Sequence, residues 1–124
     1  MKNYEDMSDF EINNCVAKVL GLDIKEYQDR SGSMVWFTIK NKDGNNYFDY
    51  IDYKDFCNKP EDAWPIITEN KISIMFDSTD TRYEGEYHEW CDAISSCQKF
   101  GIQHQSNPLR AAMIVFLKMN EDKL

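Results

Sequence analysis

Residues 107–119 constrain this chain most. They read Asn-Pro-Leu-Arg-Ala-Ala-Met-Ile-Val-Phe-Leu-Lys-Met. Asn107 is placed to accept hydrogen bonds from the first free amides of a helix. Pro108 suits the first helical position, where its missing N–H costs nothing. Leu109, Ala112, Met113 and Phe116 recur three or four apart and form one stripe. Ala111, Ile114, Val115 and Leu117 fill most of the remaining circumference. Only Arg110 and Lys118 interrupt it, and both are long enough to snorkel. The apolar run falls well short of the roughly 20 residues that span a bilayer. Such a helix must be covered on more than one side by protein. Burying one large apolar side chain is worth about 1.5–3 kcal/mol, so several of them, Met113 and Phe116 among them, organise the core.

The chain has 124 residues, which suits a single domain over 1–124. Asp and Glu number 22 against 14 Lys and Arg, for a net charge of −8. Duplex-binding proteins normally bring positive charge to the phosphates. Direct nucleic-acid binding is therefore not expected, and no basic run appears. An acidic surface can imitate nucleic acid toward a basic partner, although charge of this size also serves ordinary solubility. Lys2 is followed by Asn3, Tyr4, Glu5 and Asp6 with no apolar stretch behind them, so no secretory leader and no membrane anchor is expected. Cys15, Cys57, Cys91 and Cys97 form no compact disulfide framework and read as free thiols of a cytoplasmic protein.

Local signals give a coarse element order. Ser8 and Glu11 form a capping box. The run Phe10, Ile12, Val16, Ala17, Val19 and Leu20 then predicts a helix over 9–20, with Gly21 at its C-terminus. Residues 22–33 read as a loop and Met34–Ile39 as a strand. Asp43-Gly44 marks a turn, and Tyr47, Phe48, Tyr50, Ile51 and Tyr53 a returning strand. Pro60–Ile67 reads as a short, irregular helix, because Pro65 inside it costs about 3 kcal/mol or forces a kink. Ile72–Phe76 is a compact strand, 77–85 a polar connection and Tyr87–Ile94 another strand. In the last, Tyr87, Glu89, Cys91 and Ala93 share one face. His88, Trp90, Asp92 and Ile94 share the other. The order α-β-β-α-β-β-α predicts an α+β, sandwich-like fold, with about four strands in a small sheet packed by three helices.

Three blocks carry a family resemblance. Ser8-Asp9-Phe10-Glu11-Ile12-Asn13 continues through Val16-Ala17 to Leu20-Gly21. Asp55-Phe56-Cys57-Asn58-Lys59-Pro60 runs on to Trp64-Pro65-Ile66-Ile67, followed by Glu69 to Ile74. The third block is Asn107 to Leu117. Together they resemble the NinX-like phage proteins and, more distantly, phage proteins with α-β-α sandwich domains. Lys59 stands where the family pattern has a second Asn. The resemblance implies a phage or prophage origin and work inside the bacterial host. It carries no catalytic residues onto this chain and implies no cofactor.

Sites suggested by the residues themselves are weaker. His88, Cys91, Cys97 and His104 lack the tight ligand pairs of a zinc module. Asp77 and Asp80, with His88 nearby, are candidates for a hard cation or small ligand beside a strand end, although turn solvation explains the carboxylates as well. The same cysteines and histidines lack any local arrangement for nucleophilic catalysis. Glu84, Glu86, Glu89 and Asp92 form an acidic tract that reads first as a solvated face. There is no phosphate-binding glycine loop. Trp64 and Trp90 are alternative recognition anchors, together with Tyr83 and Tyr87. Trp64, standing among Ala63, Ile66 and Ile67, reads first as core.

Three functional classes follow, the last and least favoured being a divergent nucleic-acid-binding module, which would need an electropositive groove despite the negative total charge. The first is an accessory protein that binds a host or phage protein through the acidic tract, with homo-oligomerisation also open through the aromatic strand Tyr47–Tyr53. The second is a small enzyme or ligand-binding protein of phage nucleic-acid metabolism. That reading requires Asp77, Asp80, His88 and Glu89 to share one concave site.

Overall fold

The structure, a computed structural model, describes residues 3–25, 35–39, 50–79, 82 and 85–124. A 3₁₀ turn over Tyr4–Asp6 precedes helix α1 (Asp9–Val19). Strands β1 (Asp23–Lys25), β2 (Val35–Ile39) and β3 (Tyr50–Lys54) lead to helix α2 (Pro60–Glu69). Strands β4 (Ile72–Ser78), β5 (Glu89–Ser95) and β6 (Gln103–Gln105) lead to helix α3 (Pro108–Met119) and a closing 3₁₀ turn, Glu121–Lys123.

The α+β class holds, but one sheet of about four strands does not. There are two antiparallel three-stranded sheets, β1-β2-β3 and β4-β5-β6. The two unforeseen strands are each only three residues long. β1 lies in the stretch read as a loop, and Gln103-His104-Gln105 has no apolar alternation to announce β6. Neighbouring strands hold them in place, by pairing Ile24 with Phe37 and Ala93 with Gln103. Local sequence does not report such partners. The Asp43-Gly44 turn, Tyr47 and Phe48 lie outside the described residues.

Helix α3 is the centre of the molecule. Every residue from Ala111 to Leu117 is buried. It packs on α1, α2, β4, β5 and β6, which is how a helix apolar all round escapes water. Asn107 Oδ1 accepts from the amides of Leu109 and Arg110 at 3.0 and 3.3 Å. Arg110 does not snorkel. Its guanidinium reaches Asp9 Oδ1 at 2.7 Å and donates to the carbonyls of Tyr4 and Met7. The first turn of α3 thus holds the N-terminal segment.

The capping box at Ser8 and Glu11 starts α1 as expected. Helix α2 runs through Pro65 to Glu69. A proline there leaves the Glu61 carbonyl without its helical donor. Glu61 and Pro65 are both exposed, so water can take that role and the cost stays moderate. Thr68 Oγ1 donates to the carbonyls of Trp64 and Pro65 at 3.0 and 3.2 Å. Lys59 caps α2 by backbone alone among the described residues, and its ammonium lies 5.0 Å from the Tyr53 ring centroid.

A polar network ties the three sequence blocks together. Asn13 Nδ2 donates to Asp55 Oδ1 at 2.8 Å, and the Cys57 amide donates to Asn13 Oδ1 at 3.0 Å. Asn58 Nδ2 donates to Asp9 and Asp55. Asn107 Nδ2 donates to the Cys57 carbonyl at 2.8 Å. The block residues that carry the resemblance are therefore also the joint between α1, the β3–α2 turn and α3.

Candidate functional site

Several exposed apolar side chains gather where β4 meets α2. β4 is a margin strand, paired with β5 on one side only among the described residues. Its register sets Ile72, Ile74 and Phe76 opposite Ser95, Ala93 and Cys91. These side chains share the sheet face that packs on α3, because alternate residues point the same way. Ile72 lies under cover, Ile74 is half-buried, and Phe76 runs out beyond it at 74% exposed. Met75, on the other face, is also exposed.

Trp64 corrects the expectation made for it. It is 61% exposed, while Ala63, Ile66 and Ile67 are buried. One residue along a helix turns the side chain by about 100°, which carries Trp64 off the stripe that its neighbours bury. It helps wall a groove of about 770 Å³ with Ile67, Ile74, Phe76 and Leu109, with Lys71 also on its lining. Exposed apolar surface gathered in this way marks interaction sites more often than scattered side chains do.

Phe76 also lines a second cleft, of about 380 Å³, with Asp77, Ser78, Tyr87, Glu89 and Trp90. Four residues singled out in the sequence (Asp77, Tyr87, Glu89 and Trp90) are thereby brought together. Tyr87 Oη donates to Glu89 Oε1 at 2.9 Å. Asp77 Oδ1 accepts from the Ser78 amide at 2.8 Å. Trp90 is half-buried, with its ring 5.4 Å from that of His104. His104 Nδ1 in turn sits 2.7 Å from Asp92 Oδ1. Glu86 is exposed beside His88 at 3.6 Å. His88 does not line the cleft that holds Asp77; its backbone is bound to Thr79. Asp80, Tyr83 and Glu84 lie outside the described residues.

The arrangement sets exposed aromatic and aliphatic groups of β4 and α2 beside the carboxylates of Asp77 and Glu89, which line the cleft at one end. Among the described residues no three His, Cys, Asp or Glu side chains converge as a metal-binding set. Cys91 faces inward and donates to the Gln105 carbonyl, and burial pushes its thiol up. Burial also holds the Cys57 thiol far above its ordinary range. Cys97 is the exception. It is exposed, and contact with Ser95 Oγ at 3.4 Å lowers it. No helix of the described residues is long and apolar enough to cross a membrane.

Phe76 was missed in the sequence. Alternation along the strand puts it on the covered face with Ile72 and Ile74, so the local pattern signals only the exposure of Met75. Phe76 is exposed because it lies toward the far end of β4, beyond half-buried Ile74.

A family model described as Bacteriophage P22, NinX matches residues 3–120. No curated protein and no solved structure matches the chain.

Proposed function

The chain belongs to the bacteriophage P22 NinX family and is thus a phage accessory protein, and we propose that it works by binding another protein through the β4–α2 surface. The partner is a host or phage protein met in the cytoplasm of the infected cell. The observation that carries this reading is Phe76, 74% exposed between a groove walled by Trp64 and a cleft edged by Asp77 and Glu89. Aromatic side chains in such positions are the usual anchors of protein interfaces. Carboxylates at the rim steer an oppositely charged partner and select against like-charged ones. The net charge of −8 adds to that bias.

The test is affinity capture from phage-infected host cells with three baits. One is the wild type, one is Phe76→Ser, and one carries Asp77→Lys, Glu86→Lys and Glu89→Lys. A protein held by the wild type and lost from both variants supports the reading, with the charge-reversed bait losing its salt dependence as well. The same proteins held equally by all three baits would remove this surface from the function. The reading as an enzyme or ligand-binding protein has less support, since His88 is not among the residues lining the cleft with Asp77 and Glu89, and Asp80 lies outside the described residues.

A further inference from the structure

The backbone of β4 has a second pattern, independent of its side chains. The Thr79 amide donates to the His88 carbonyl at 2.9 Å. From that pair the register continues through Asp77 opposite Trp90, Met75 opposite Asp92 and Ser73 opposite Ile94. In an antiparallel ladder alternate opposing pairs exchange hydrogen bonds. Ser73, Met75 and Asp77 therefore direct their amides and carbonyls to β5. Ile72, Ile74 and Phe76 turn theirs to the open margin, where no strand lies among the described residues. At Ser78 the outward amide is occupied by the Asp77 carboxylate, which confirms the alternation and blunts that end of the edge.

We propose that an extended segment of another protein, alternating apolar residues with Lys or Arg, adds to β4 as a further strand. The inference rests on the docking surface proposed above and specifies what it takes. Strand addition draws affinity from main-chain hydrogen bonds and specificity from pockets for alternate side chains. Both are present here. Residues of the added strand opposite Ile74 and Phe76 would face the groove beside Trp64 and Ile67. The intervening residues would stand beside Met75 and the Asp77 carboxylate, which calls for positive charge. A second copy of this chain is the less suitable occupant. It would bring another net charge of −8 and a second Asp77 to the same edge, and like charges across a strand pair are destabilising.

The probe is a synthetic peptide of alternating Val and Lys, matched to the seven residues of β4. A second peptide is N-methylated at the amides that would face β4. Amide hydrogen exchange is followed on the isotopically labelled, full-length protein. With the first peptide, the Ile74 and Phe76 amides slow by about tenfold or more, while Ser73, Met75 and Asp77 change little. The methylated peptide binds about tenfold more weakly, since it lacks the main-chain donors. Equal binding of both peptides, or protection without alternation, overturns strand addition while leaving a side-chain docking surface standing. No binding at millimolar peptide also overturns it, and the capture comparison then decides the surface on its own. Alternating protection that grows with protein concentration in the absence of peptide reassigns the edge to a second copy.

Discussion

Asn13 and Asp55 meet at 2.8 Å in the interior, although 42 residues separate them in the chain. Asn13 is wholly sequestered and Asp55 nearly so. The amide serves in both directions, donating to the carboxylate and accepting the Cys57 N–H. Asn58 Nδ2 also donates to both oxygens of that carboxylate. A buried charge is tolerated only with such partners.

Asn13→Ala therefore destabilises more than its small volume change suggests. It leaves a buried carboxylate and a buried amide each short of a partner, at a cost of about 3 kcal/mol. For a chain of this size that lowers Tm by about 10 °C. Thermal unfolding followed by circular dichroism measures it. A variant melting within about 2 °C of wild type would show that the network is not holding α1 to the β3–α2 turn.

Met113 and Trp64 should part company under truncation. Met113 is fully enclosed within α3, and Met113→Ala opens a cavity that costs about 2–5 kcal/mol. Trp64 stands mostly in solvent, and Trp64→Ser should change stability by no more than about 0.5 kcal/mol. Urea unfolding of both variants checks the contrast. A large loss at Trp64 would mean that its ring is core after all.

Alkaline pH should unfold the protein through its buried thiols. Burial holds the Cys57 thiol above its ordinary value, with the Asp9 charge adding to the effect. The folded state thus keeps a proton that the unfolded state gives up. This contribution is whole below about pH 8.5, the ordinary thiol value, and is lost as pH rises beyond it. Each such thiol steepens the decline by about 1.4 kcal/mol per pH unit. Cys57→Ala should flatten the stability profile above pH 8.5 without altering its slope near neutrality. An unchanged alkaline slope would show that Cys57 ionises as readily folded as unfolded.

Thiol alkylation should follow a fixed order. Cys97 is exposed and its thiol lowered by the Ser95 hydroxyl, and the thiolate is the reacting form. Iodoacetamide on the native protein should label Cys97 first. Cys57 and Cys91, both buried, should react only on unfolding. Mass spectrometry of the peptides decides it. Early labelling of Cys57 would contradict the packing around Asn13.

Legibility varied with the range of the interactions. The capping box at Ser8 and the N-cap at Asn107 act within one turn, so both helix starts could be read directly. Asn13 lay on the same helical stripe as Val16 and Ala17, which was the available sign of its burial. Tyr87, Glu89 and Trp90 were near one another along the chain, but their meeting with Phe76 and Asp77 depends on the β4–β5 pairing. Trp64 misled because apolar neighbours do not fix which way a helical side chain turns.

The sequence alone determined the α+β class, the ends of α1 and α3, and the need to cover α3 on several sides. Those follow from capping, periodicity and the aversion of apolar groups to water, all local or compositional causes. Only the tertiary structure decided that the strands divide into two sheets, that Arg110 grips the N-terminal segment, and that the margin of β4 is left beside Trp64 and Phe76. Each is a choice of partner made across dozens of residues. Such choices depend on strand pairing and packing between distant segments, which local sequence does not report.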